Sequence, residues 1–151
     1  MLPAMKAAFL FLFLLACGSS GSGDSGERVG ACGDPSEVDL TLKVAVQDSD
    51  GNALQDMDVV LEDRGWTSTT LGGGITNAAG EVEFEALGVT DVPGCWGTLL
   101  DYVVVASDSL GAWSAGEKSA NSYLHTAIED NSMEADLRAF PVVLQAVGEE
   151  Q

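Results

Sequence analysis

Residues 38–47 read Val-Asp-Leu-Thr-Leu-Lys-Val-Ala-Val-Gln. Val38, Leu40, Leu42, Val44 and Val46 take every second position, with polar or small residues between them. A period of two over this length belongs to a strand with one buried face. Asp48-Ser49-Asp50-Gly51-Asn52 then supplies turn formers in series, after which Met57, Val59 and Leu61 alternate with Asp58, Val60 and Glu62. The local expectation is an antiparallel pair of strands lying on one core.

The same pattern continues toward the C-terminus. Trp66–Thr76 is rich in Thr but broken by Gly72-Gly73-Gly74, which predicts a strand with a bulge or a loose edge. After the turn at Asn77–Gly80, Val82, Phe84 and Ala86 point one way and Glu81, Glu83 and Glu85 the other, so the glutamate face meets water. Gly88–Asp101 reads as a loop, and Tyr102–Ala106, apolar on both faces, as a central strand. Beyond Ser107 the signal weakens. Trp113 marks a short strand, Tyr123–Ile128 alternates weakly with a helix across Ser119–Asp130 as the alternative, and Leu137–Val147 reads as a last strand that Pro141 pushes to an edge. Strands recurring at short spacing between Gly, Asp, Asn and Pro turns predict an all-β fold, an antiparallel Ig-like sandwich of about seven strands.

Residues 38–63 and 75–87, VDLTLKVAVQDSDGNALQDMDVVLED and ITNAAGEVEFEAL, resemble the opening of the carboxypeptidase regulatory-like (transthyretin-like) sandwiches. Asp48–Gly51, Val59–Leu61 and Thr76–Phe84 take the places of that family's first turn, second strand and Thr-(Asp or Asn)-x-x-Gly turn into a Phe-bearing strand. The resemblance covers about Val38–Leu87, and the family's Pro-Gly-x-Tyr lead-in is only echoed by Pro93-Gly94 and a displaced Tyr102. It implies a transthyretin-like sandwich and supplies no catalytic residue. The intradiol dioxygenases on related folds need two His and two Tyr for iron, whereas this chain has one His.

Toward the N-terminus, Lys6 is followed by an apolar run from Ala7 to Leu15 and then by Ala16-Cys17. That order of cation, apolar stretch and small residue is a secretory signal, and the run is shorter than the ~20 residues a membrane-spanning helix needs. Leu14-Leu15-Ala16-Cys17 resembles the lipobox of bacterial lipoproteins. The resemblance implies cleavage before Cys17 and lipidation of its thiol, with two or three acyl chains giving lasting attachment to a membrane. Gly18–Ala31 is a Gly/Ser tether that would span roughly 20 Å as a coil. The expected organisation is a signal peptide over 1–16, a lipidated Cys and tether over 17–31, a sandwich over 32–147 and an acidic tail over 148–151.

The formal net charge of -18 repels phosphate backbones and argues against a nucleic-acid partner. With Cys17 assigned to lipid, Cys32 and Cys95 remain, and two thiols in an oxidising compartment are expected to pair as a disulfide.

Four further features bear on chemistry. Asp48, Asp50 and Asn52 alternate like the first ligands of a calcium loop, but Gly51 is fourth and Val59 twelfth, where an EF-hand needs Gly sixth and Glu twelfth. A turn is the better account, and no cofactor is expected, Ca2+ being the one the pattern would admit. Trp66, Trp96 and Trp113 lie in or near loops, where they would cap the core or stack on a sugar ring. His125 precedes Glu129 by four residues, which on a helix puts both on one face and allows an acid-base pair. Gly111–Gly116 is one residue too long for a Gly-x-Ser-x-Gly elbow. The expectation is therefore a non-catalytic lipoprotein of the bacterial envelope, at the outer membrane, whose sandwich binds an envelope protein or a glycan. The alternatives are a carbohydrate-binding module using the tryptophans and a small hydrolase centred on His125.

Overall fold

A computed structural model describes residues 32–148. The expected lipidation site Cys17, with the expected signal and tether around it, lies outside the described residues, as does the end of the expected acidic tail. The described chain is an all-β sandwich of eight strands and one short helix. One sheet is built on β1 (Ser36–Asp48), which pairs antiparallel with β4 (Glu81–Asp91) on one side. On its other side β1 pairs in parallel with β7 (Glu134–Asp136) and, further along, with β8 (Val142–Leu144). The second sheet has the order β3 (Thr69–Ile75), β2 (Asp58–Asp63), β5 (Tyr102–Ser107), β6 (Gly116–Ser119), all antiparallel. Helix α1 (Asn121–Glu129) follows β6 and packs on β7.

The alternation in β1 does what its period requires. Leu40, Leu42, Val44 and Val46 are buried and meet Val59 and Leu61 of β2, Phe84 and Ala86 of β4, and Tyr102, Val104 and Ala106 of β5 in one core. On the opposite face of β4, Glu83 and Glu85 are exposed. Strand β5 lies between β2 and β6, the central position its two-sided apolarity demands.

Several expectations are corrected. β1 and β2 are not a hairpin; they belong to opposite sheets. The turn at Asp48–Asn52 reverses the chain only as far as Leu54, whose N–H donates to the Val46 carbonyl at 3.0 Å before the chain crosses over. Leu54 and Met57 are buried, so the connection is anchored in the core rather than spread over one sheet. Strand β4 extends through Gly88 to Asp91, because β1 is long enough to give it partners back to Ser36. Tyr123–Ile128 is helical, since Leu124 and Ala127 can both face the core only at helical spacing. The expected last strand is divided: Leu137–Phe140 closes a turn and Val142–Leu144 alone pairs, in parallel with β1. These parallel pairings make the first sheet mixed. Trp113 forms a single antiparallel bridge to Ala146 rather than a strand.

The interrupted strand at Gly72–Gly74 is an edge, as its composition predicts, with a register shift at Leu61/Glu62. The glycines have a second use. A Cβ on Gly72 would strike the Glu85 carbonyl oxygen, and one on Gly74 would lie 2.8 Å from a Val82 methyl. Without side chains there, the edges of the two sheets close on one another along that flank.

Candidate functional site at the disulfide end

The chain enters the sandwich at Cys32, which is bonded to Cys95 with the two Cα atoms 5.5 Å apart. Gly33 N–H donates to the Pro93 carbonyl at 2.7 Å beside this bond. The expected pairing is therefore present and ties the start of the described chain to the β4–β5 loop, to which the β2–β3 loop and the start of α1 are held by the Arg64 N–H on the Asp101 carbonyl at 2.8 Å and by Asn121 on the Leu100 carbonyl at 3.0 Å.

Trp96, the residue after Cys95, is half-buried. Its indole N–H donates to Asp91 Oδ1 at 2.9 Å, and its ring lies 5.8 Å from Tyr102 and 5.2 Å from His125, stacked on the latter at 24°. Tyr102 is buried, and its hydroxyl accepts from Thr90 N–H at 2.9 Å and donates to the Thr90 carbonyl at 3.1 Å, linking the two sheets. Burial raises the pKa of that phenol, so it remains a donor at neutral pH. Asn121 at the start of α1 accepts from Tyr102 N–H at 2.7 Å and donates to the Leu100 carbonyl at 3.0 Å. The aromatic stack is thus framed by hydrogen bonds from both sheets and the helix.

His125 and Glu129 do meet at the predicted helical spacing, with Nε2 and Oε1 3.3 Å apart. The imidazole is committed to two neighbours, Trp96 on its face and Glu129 at Nε2. This arrangement positions the ring.

The β2–β3 loop is organised by Asp63, 2% exposed, a residue the sequence reading passed over. One carboxylate oxygen accepts from Gly65 and Trp66 N–H at 2.9 and 2.8 Å, the other from Thr67 N–H at 2.9 Å and the Thr67 hydroxyl at 2.7 Å. Asp followed by Gly and Thr within four residues was the available signal. Burial acts to raise this carboxyl's pKa, but the Trp66, Thr67 and Gly65 donors outweigh it and hold it below the ordinary value. Because the folded pKa is lower than the unfolded one, the stabilisation is complete above the unfolded carboxylate range near pH ~4 and fades as pH falls through the lowered value. Asp63→Asn is expected to cost roughly 1–3 kcal/mol at neutral pH. It should also flatten the loss of stability in acid. Urea unfolding at a series of pH values checks both, and a wild-type acid slope in the variant would contradict the role given to Asp63.

This loop presents Trp66, 49% exposed, beside a cleft of about 320 Å3 lined by Glu62, Arg64, Ser68, Thr69 and Thr70. Arg64 closes one side, paired with Glu117 of β6 at 2.7 Å and with Glu62 at 2.8 Å. Of the three tryptophans, Trp66 offers the freest ring. Trp96 and Trp113 pack against the core, and Trp113 lies at the other end of the sandwich near Ala146. The structure does not bring the three together.

Asp48, Asp50 and Asn52 also lie at that far end. Asp48 Oδ1 accepts from Asp50 and Asn52 N–H at 2.9 and 2.8 Å, and Oδ2 from Asn52 Nδ2 at 2.9 Å. Hydrogen bonding by Asn52 is the chief cause of its lowered pKa. The carboxylate is spent on holding the turn, and among the described residues no group of three His, Cys, Asp or Glu is placed to hold a metal ion. Nor is any described helix long and apolar enough to cross a membrane. Compared with known protein families, with curated proteins and with solved structures, the chain shows no match.

Proposed function

We propose that this chain is a lipid-anchored protein of the bacterial envelope, held at the outer membrane through Cys17, whose transthyretin-like sandwich is a non-catalytic module that binds another envelope component. The observation that carries this reading is the succession Leu14–Cys17, Gly/Ser tether and Cys32–Cys95 bond. A disulfide at the point where the tether joins the fold suits an oxidising compartment and a chain fixed by its N-terminal end. A glycan partner would use Trp66, which stands on a loop already ordered by Asp63 and so loses little freedom on stacking.

The anchor is tested by growing cells with a labelled fatty acid. Label is expected on the wild-type chain and absent from Cys17→Ala, which should accumulate with its signal uncleaved. Label that persists in the variant, or none on the wild type, would remove the anchor from the reading.

A further inference from the structure

The segments 112–116 and 142–147 run antiparallel as a ribbon on the flank opposite the Gly72–Gly74 seam. Ser114 N–H donates to the Gln145 carbonyl at 2.8 Å, Val147 N–H to the Ala112 carbonyl at 2.9 Å, and Trp113 bridges Ala146. Val142 and Leu144 point into the core, so alternation turns Val143 and Val147 outward, 46% and 64% exposed. Leu110, 90% exposed, stands on the turn that leads into the ribbon, and Phe140, 57% exposed, flanks its other end against Tyr123. Four large apolar side chains offered to water on adjoining elements are more than scattered exposure explains.

Charge separates this face from the rest of the surface. Residues 109–116 and 139–147 contain no acid and no base, in a chain with 24 acids and a net charge of -18. The rim carries one cation, Lys118, whose ammonium lies 5.4 Å from the centre of the Phe140 ring. Among the described residues, Lys43 holds Glu83 and Glu134, Arg64 holds Glu62 and Glu117, and Arg138 holds Glu81 and Asp136. Lys118 alone of the described lysines and arginines holds no carboxylate. An apolar centre with an unpaired cation at its rim fits a partner that is apolar at its middle and acidic at its edge.

This chain is itself such a partner. We propose that the 112–116/142–147 ribbon is the contact between two copies of this chain, with Lys118 of each copy facing carboxylates of the other. An antiparallel ribbon can meet its own image across a two-fold axis, and such isologous pairing is the commonest form of self-association. On other faces, such as that of Glu83 and Glu85, two copies would oppose like charges.

The test is sedimentation equilibrium on residues 18–151, which contain the whole described core. A monomer–dimer equilibrium is expected, tightening as salt rises from about 0.05 to about 1 M, because screening relieves the net repulsion more than it weakens two rim pairs. Val143→Asp should weaken the dimer about thirtyfold and Lys118→Glu in the same direction. Val143 is turned from the core, so circular dichroism and thermal unfolding of the Val143→Asp monomer should stay unchanged and exclude misfolding as the cause; Lys118 is half-buried opposite Val104, so dissociation caused by Lys118→Glu is read against the unfolding of its own monomer. A chain that remains monomeric throughout, or a dimer indifferent to both substitutions, overturns the proposal. So would Val143-dependent binding of phosphatidylcholine vesicles by a chain that stays monomeric, which would assign the ribbon to lipid.

Discussion

Gly72→Ala is expected to destabilise the fold by roughly 3 kcal/mol or more, although it adds a single methyl group at a half-buried edge position. The new Cβ would land on the Glu85 carbonyl oxygen, with the Glu85 carbonyl carbon 3.1 Å and Phe84 Cδ2 3.2 Å away. Two of these atoms are backbone in β4, so no rotamer change relieves the contact. Either β3 lifts from β4 or the sheets part along that flank. Alanine's smaller conformational entropy in the unfolded chain offsets at most about 1 kcal/mol. Thr70→Ala, two positions away on the same exposed edge, is the control and should stay within about 0.5 kcal/mol of wild type. Urea midpoints at unchanged slope give the comparison. A Gly72→Ala midpoint equal to that of Thr70→Ala would mean the sheets do not close as described.

Cys32→Ser is expected to cost about 4 kcal/mol, from the loop entropy released when a bond across 63 positions is lost. Cys32 is the better site for the test because it is exposed, whereas Cys95 is 4% exposed and its replacement would disturb packing beside Trp96. Reduction of the wild type should reproduce the variant's unfolding curve. Reductant should leave Cys32→Ser itself unchanged. A loss below about 1 kcal/mol would mean that the Gly33–Pro93 hydrogen bond and the start of β1 hold this end without the covalent link.

The sequence disclosed what depends on near neighbours along the chain. The period of two in residues 38–47, the outward glutamates of β4 and the two-sided apolarity of β5 all became local geometry. Pairing was less legible. The partners of β1 come from residues 81–91, 134–136 and 142–144, and nothing within β1 distinguishes them from its neighbour in sequence, β2. Strands of three residues such as β7 and β8 are too short to show a period, and α1 has no side-chain cap to announce it. At the disulfide end, Cys32, Cys95 and Trp66 could be picked out by residue type and context. Asp63, Thr90 and Asn121 could not, because each matters through a hydrogen bond whose value depends on burial that only the folded chain creates.

The position of the disulfide also sets how the molecule would respond to force. Strands β1 to β4, residues 36–91, all lie between Cys32 and Cys95. A pull applied to the two chain ends would therefore pass from Cys32 directly to Cys95 and on through β5 to β8. The first half of the sandwich would sit outside the path of tension, unable to lengthen until the bond is cut. Under load, the extensible part of the sandwich is its C-terminal half.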